Sequence, residues 1–210
     1  MRIFDRYIER PPEWFRRLMP EGLYRMPQSA GNGRAVWLTF DDGPVPEVTP
    51  WVLDTLDLYD AKATFFMVGE NAARHPDLLE SVRRRGHSIG NHTYHHLNGR
   101  GVSAEDYIND VEAADSVLGS GLFRPPHGWL GRRARRLLSE RYRLVMYDVV
   151  TRDYSNRLSG DDVVEVVRRL SRDGSIIVFH DSVRSEPRLR AGLPASLEWL
   201  RGEGYEFKTF

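Results

Sequence analysis

The sequence predicts a single-domain, parallel α/β fold. Three observations point there. From Ala35 onward, short apolar runs of strand length alternate with helically patterned segments, the order that yields a parallel sheet covered by helices. The chain has 210 residues, about one domain's length and enough to bury a core without disulfide staples. No internal repeat, low-complexity tract or linker divides it.

The elements follow in order. AVWLTF (35–40) reads as a buried strand, being a short apolar run bounded by turn residues. The segment 48–60 places Val48, Trp51, Val52, Leu56 and Tyr59 on a helical stripe. ATFFMV (63–68) is the next strand, and PDLLESVRRRG (76–86) is a helix entered at a proline and stopped by Gly86, as helix punctuation favours. HSIGNH (87–92) is a short strand running into a turn. Segment 103–119 is a helix capped by Ser103, with Asp106 three positions on. LFRPPHG (122–128) reads as a strand end and loop, RLVMYDVV (143–150) as a strand, and 160–174 as a helix closed by Gly174. SIIVFHD (175–181) is a strand, LPASLEWLRGEG (193–204) a helix and YEFKTF (205–210) the last strand.

Composition narrows the function. Hydrophobic residues make up 40% and charged residues 29%, ordinary for a soluble globular chain. No apolar run approaches the roughly 18–20 residues of a membrane span, so no integral membrane segment is expected. Lys+Arg and Asp+Glu are both 30, without the basic excess of a nucleic-acid binder. Cysteine is absent. That excludes disulfide scaffolds, zinc–thiolate sites and cysteine nucleophiles, and leaves any metal to nitrogen and oxygen ligands.

Residues 1–33 read as an N-terminal arm. Charges interrupt its start every few residues, so no secretory signal is recognisable and a cytoplasmic location is expected; an extracellular substrate would require a removed or atypical export signal. Ile3, Phe4, Tyr7, Ile8, Trp14, Phe15 and Leu18 are expected to pack on the domain. A membrane-surface helix is the competing reading, which Pro11 and Pro12 would break early.

Chemistry-bearing residues collect at the carboxyl ends of the strands, where parallel α/β folds place their sites. Asp41 and Asp42 end the first strand, and Gly43-Pro44 forces a turn that can aim both carboxylates at one site. His92 follows the third strand, Arg124 and His127 lie on the RPPHG loop, Asp153 follows YDVV, and His180 with Asp181 ends SIIVFH. His92 and His96 are four apart, so on one helical turn they share a face, with His95 as the competing partner. With Asp42 they would form a two-histidine, one-carboxylate site with open positions. Zn²⁺ suits it, and Fe²⁺, Co²⁺ or Ni²⁺ could also occupy it. Asp181 and Asp153 both offer His180 a carboxylate partner, which would raise its pKa toward the range of a general acid.

Taken together and in order, TFDDGP (39–44), HTYHH (92–96), RPPHG (124–128), TRDY (151–154) and IIVFH (176–180) resemble the polysaccharide deacetylase family, the NodB-like group of carbohydrate esterase type. The resemblance covers about residues 34–210. It implies a distorted (β/α) barrel and metal-dependent removal of acetyl groups from N-acetylated sugar oligomers or polymers of peptidoglycan or chitin type. It assigns Asp42, His92 and His96 as metal ligands and Asp41 as general base. Arg124 would hold that base ionised and oriented, and the His127 backbone N–H would serve the oxyanion. His180 would be the acid, with Asp153 as its partner. Tyr154 and Val178 would line the pocket for the acetyl methyl group.

Three positions depart from the family pattern. His127 stands where Tyr or Phe is usual, Val150 where Asp is frequent, and Tyr154 where Trp is frequent; Asp148 is expected to restore part of the lost polarity. Two other readings remain beside the deacetylase. One is hydrolysis of another amide or an acetyl ester, such as a cyclic ureide or acetylxylan; a ring-opening relative would alter the second histidine, and His96 is present. The other is a non-catalytic sugar-binding domain, which would be favoured by loss of Asp41, His180 or a ligand, and none is lost.

Overall fold

The computed structural model describes residues 9–27 and 33–210; Ile3, Phe4, Tyr7 and Ile8 fall outside these. The first strand, β1 (Arg34–Asp41), is buried along all but its first residue. It pairs in parallel with β2 (Thr64–Met67) on one side and β7 (Ser175–His180) on the other. β3 (Ser88–Asn91), β4 (Leu122–Phe123) and β5 (Arg143–Leu144) extend the sheet beyond β2, and β6 (Val149–Val150) extends it beyond β7. The order is β5-β4-β3-β2-β1-β7-β6, with β8 (Tyr205–Lys208) pairing the foot of β1.

This order requires a curled sheet. β5 and β6 are at opposite ends of the path, yet only residues 145–148 connect them. That connection can span about 18 Å at most, whereas a flat sheet would set the two strands about 29 Å apart. The sheet therefore rolls into a distorted barrel with a seam between β5 and β6. RLVMYDVV is accordingly not one strand, because its two halves pair with different neighbours, β5 with β4 and β6 with β7.

Residues of the arm bridge the foot of the seam. The Leu23 N–H donates to the Leu144 carbonyl (2.8 Å), and the Leu23 carbonyl accepts from Met146 (2.8 Å). The Met26 N–H reaches Gly174, at the entry to β7 (2.8 Å). Asp148, fully buried in the seam, is bonded by Arg16 (3.0 Å), by Arg172 (2.7 and 2.9 Å) and by Ser175 (2.8 Å). It is thus held among structural ion pairs and does not supply the cleft polarity expected of it.

Strand alternation separates two environments. Val36, Leu38 and Phe40 of β1, with Ile177 and Phe179 of β7, join the large outer cluster. That cluster also holds residues of α2 (Thr49–Leu58), α4 (Pro76–Arg84), α7 (Gly160–Leu170) and α8 (Glu186–Gly202). Ala35, Trp37, Phe66 and Ile176 form the inner cluster. Climbing β1 on that inner face, the residues turn from Ala35 and Trp37 to Thr39 and Asp41, so the same period that builds the core delivers a carboxylate to its rim.

The expected helices form, with adjusted ends. Ser103 caps α5 (Ala104–Leu118) by accepting the Asp106 N–H (3.0 Å). Ser159 and Asp162 close a capping box on α7, which ends at Leu170 before Gly174 is reached. α8 begins at Glu186, earlier than the apolar stripe indicates, with a proline in its first turn. Among the described residues, α3 (Gly69–Arg74) and the arginine-rich α6 (Arg132–Ser139) have no counterpart in the sequence reading, and in the arm a short helix, α1 (Glu13–Leu18), forms just after Pro11 and Pro12.

Candidate active site

The carboxyl ends of β1, β3 and β7 converge on a cleft of about 770 Å³, lined by Asp41, Asp42, His92, His96, His127 and His180, with Tyr154 and Val178 on its wall. Asp41 is fixed by Arg124, whose Nη1 donates to Asp41 Oδ1 (2.5 Å) and to Thr39 Oγ1 (2.9 Å). The same guanidinium donates to the carbonyls of Val145 (3.1 Å) and Met146 (2.9 Å) and stacks 4.0 Å over the Phe66 ring. It is 2% exposed. A buried cation is tolerated only when paired and hydrogen-bonded, and these contacts meet that demand while tying Asp41 to the seam. Lysine could not span this fork of acceptors.

Asp42 leaves the strand at φ 82, and this turn brings both carboxylates to one site. Gly43 permits the turn, since a Cβ there would lie 2.0 Å from Asp181 Oδ2. Asp181, fully buried, accepts from the Gly43 N–H (3.1 Å) and the Thr49 hydroxyl (2.6 Å). Burial pushes its carboxyl up to about 8. It braces the turn, leaving Asp153 as the carboxylate that pairs with His180.

Residues 92–96 form an irregular loop, not a helical turn, with Thr93 at φ 63 and His96 at φ 52. Asp110 of α5 arranges it by accepting the N–H groups of Tyr94 (2.9 Å) and His95 (3.1 Å) and the His95 ring at Nδ1 (2.5 Å). His95 is thereby turned outward, and His96 meets Asp42. Of the six left-handed non-glycine residues among the described residues, five (Asp42, Thr93, His96, His127 and Arg152) belong to the segments that build the site, and the sixth, Asp60, follows the end of α2; such clustering is what backbone strain at functional positions leads one to expect.

The residues fit a divalent metal. One donor atom each from Asp42, His92 and His96 lies within 4.8 Å of the others. Asp42 Oδ1 is 3.2 Å from His96 Nε2 and 3.7 Å from His92 Nε2, close to the roughly 3.3 Å between donors in a tetrahedral site with bonds of about 2.0 Å. His92 Nδ1 lies 2.8 Å from the Arg124 carbonyl. A carbonyl only accepts, so Nδ1 carries the proton and Nε2 offers its lone pair. Burial pushes the His92 ring down to about 4, which keeps it neutral, the form a ligand needs.

Across the cleft, His180 Nδ1 meets Asp153 Oδ1 (2.7 Å), and the His180 N–H donates to Asp153 Oδ2 (2.8 Å). Burial pulls the imidazolium down, but the Asp153 carboxylate more than reverses this and raises the ring to about 9. Tyr154 packs edge-on against it, with centroids 4.9 Å apart. His127 sits at φ 58 in a one-turn 3₁₀ segment, and its backbone N–H has no acceptor among the described residues. Thus every residue that the family resemblance assigns to the site lines this one cleft or bonds a residue that does, whereas Asp148 and His95 do not reach it. The contributions of Asp110 and Thr39 have no signal in the sequence; Asp110 acts 16 residues from Tyr94, and no local pattern marks such a contact.

Comparisons with known proteins agree. The family model described as polysaccharide deacetylase matches residues 28–142. A peptidoglycan-N-acetylglucosamine deacetylase of Bacillus cereus is 35% identical over 85% of this chain and 87% of its own length. A chitooligosaccharide deacetylase of Rhizobium leguminosarum is 30% identical over 73% of this chain and 74% of its own. The Listeria monocytogenes deacetylase PgdA is 30% identical over 92% of this chain, which spans 42% of that protein. Among solved structures, the Bc1960 peptidoglycan N-acetylglucosamine deacetylase superposes with a TM-score of 0.85 at 30% identity, covering 95% of this chain and 94% of that one.

Proposed function

The chain belongs to the polysaccharide deacetylase family, and from that premise we propose that it hydrolyses the N-acetyl groups of amino-sugar oligomers or polymers of peptidoglycan or chitin type, with zinc as its metal. The observation that carries this reading is the cleft itself, where an Asp/His/His donor set lies between a carboxylate held by a guanidinium and an imidazole held by a carboxylate.

A divalent cation held by Asp42, His92 and His96 supplies Lewis-acid polarisation of the acetyl carbonyl and a water made easier to deprotonate. Asp41 takes the proton from the attacking water as its oxygen bonds the acetyl carbon, and Arg124 keeps the accepting oxygen in place. The His127 N–H donates to the carbonyl oxygen as negative charge develops on it; one such donor is worth about 3–4 kcal/mol. His180 gives its proton to the nitrogen as the C–N bond breaks, and acetate and a free amine leave. Asp153 supports the imidazolium before that transfer. Val178 and Tyr154 bound the space beside the reacting carbon and leave room for a methyl group.

The test is acetate release from N-acetylglucosamine oligomers and from peptidoglycan, with and without a chelator. Release that the chelator stops and zinc restores supports the reading. Absence of release from every N-acetylated sugar, with zinc bound, overturns it.

A further inference from the structure

One wall of the cleft lies outside the five motifs. Pro11, Pro12, Trp14 and Phe15 line the same cavity as Asp41, Asp42 and His180. Trp14 is 62% exposed, yet it is not loosely placed. Phe15 backs it edge-on with centroids 6.0 Å apart, and packs in turn on the cluster of Met19, Tyr24 and Leu130. Buried ions hold the segment. Glu9 meets Arg152 (3.2 Å) and Arg169 (2.5 Å); Arg16 meets Asp148 (3.0 Å) and returns to the Pro11 carbonyl (3.0 Å). Two of those anchors, Asp148 and Arg152, lie just ahead of Asp153 and Tyr154, so the arm is fastened to the strand end that carries the acid's partner.

A large ring held open beside a polar reaction centre matches a sugar, which has apolar C–H faces and a polar rim. Trp14 carries none of the chemistry, so its contact falls on a ring other than the one losing its acetyl group. We propose that Trp14 is a stacking platform for a neighbouring sugar of the bound chain, and that the arm thereby gives the enzyme its preference for longer glycans. This rests on the deacetylase reading above. Binding energy from such a remote ring is spent at the reacting centre and raises kcat/KM for long substrates. A membrane-surface role suits Trp14 less well: α1 has only six residues, Phe15 packs on the protein's own cluster, and both aromatic residues line the cleft.

The experiment compares kcat/KM for an N-acetylglucosamine pentamer and dimer in the parental chain, Trp14→Ala and Trp14→Tyr, with pentamer affinity measured in parallel by calorimetry. In Trp14→Ala the pentamer-to-dimer ratio falls about tenfold, the scale of one lost aromatic contact, and pentamer binding weakens in step; Trp14→Tyr keeps most of both. A ratio that stays put, or equal losses on both substrates, overturns the platform while leaving the deacetylase reading intact. Pentamer binding that weakens in Trp14→Ala when even the parental chain releases no acetate overturns the deacetylase reading and supports the platform. An unmoved ratio with weakened binding to phosphatidylglycerol–phosphatidylethanolamine vesicles assigns Trp14 to a membrane surface and overturns the proposal.

Discussion

Two ion pairs face each other across the cleft with opposite polarity. On one side the cation is the fixed partner: Arg124 is 2% exposed, bonded at four points, and holds Asp41, the group we propose as the base. On the other side the anion is fixed: Asp153 is fully buried, bonded to both the ring and the backbone of His180, and holds that imidazole, the group we propose as the acid. The chemical parts are alike, a carboxylate and a nitrogen cation at 2.5 and 2.7 Å. What differs is which member can lose its proton near neutral pH. A guanidinium cannot, which suits its partner to the proposed role of base; an imidazolium can, which suits it to the proposed role of acid. The two pairs can serve one pH because Asp41 is fixed to a cation that keeps its proton, while Asp153 helps raise the His180 ring to about 9.

Removing the working members tests this most severely. His180→Ala and Asp41→Asn should each lower kcat by about 10²–10⁴, with bound zinc unchanged by metal analysis, whereas Asp42→Ala should lose the zinc itself. Because the two groups serve one reaction, the double variant is expected to be little worse than either single one. Additive losses in acetate release would break the symmetry argued above.

The fixed members should fail differently. Arg124→Met leaves Asp41 buried without its cation and frees the carbonyls of Val145 and Met146 at the seam. A loss of about 3–5 kcal/mol is the scale for breaking a buried pair, read as a lower urea midpoint. Asp153→Asn acts on proton affinity instead. Burial of the His180 ring is then opposed only by the carboxylates of Asp42 and Asp41, and its pKa should fall from about 9. The alkaline limb of the rate profile moves down with it. The stability effect has a definite sign. A ring pKa raised on folding stabilises fully below about 6.5 and loses that contribution as pH rises through about 9. The parental protein and the Asp153→Asn variant should therefore converge in stability above that pH, checked by denaturation across pH 6–10.

The central strands were legible in the sequence and the seam was not, for a physical reason. β1 and β7 are paired along both edges and buried, so their apolar runs are long and end abruptly where Asp41 and His180 begin. Residues 143–150 are equally apolar, but only two residues at each end pair into the sheet; the middle crosses between edges, and hydrophobicity does not record which neighbour a strand takes. The site shows the same division. Types and order within TFDDGP, HTYHH and RPPHG point to Asp41, Asp42, His92, His96 and Arg124, which the fold brings to one cleft. The spacing of His92 and His96 suggested a helical turn, and that inference failed because i, i+4 fits a helix and an irregular loop alike. Asp148 reads in the sequence as free to serve the cleft, but three cations and a hydroxyl from distant segments claim it. Contacts of that range leave no trace in local pattern.

His95 and Asp110 supply the internal control for the comparison. Their geometry repeats that of the acid pair, ring Nδ1 to carboxylate at 2.5 Å, yet the His95 ring is 61% exposed and turned away from the cleft. If a histidine–carboxylate pair were sufficient for acid catalysis, His95→Ala would matter as His180→Ala does. The expected result is a change in kcat of less than about twofold, the scale of a solvent-exposed pair. Asp110→Ala should have the larger effect of the two, because it also strips the acceptor from the Tyr94 and His95 N–H groups and loosens the loop that presents His96. Its mark is zinc affinity, weakened about tenfold in a chelator competition, as for other residues that orient metal ligands. A His95→Ala variant as impaired as Asp110→Ala would mean that the ring, not the loop geometry, carries the contribution, and the contrast between the two histidine–aspartate pairs would fall.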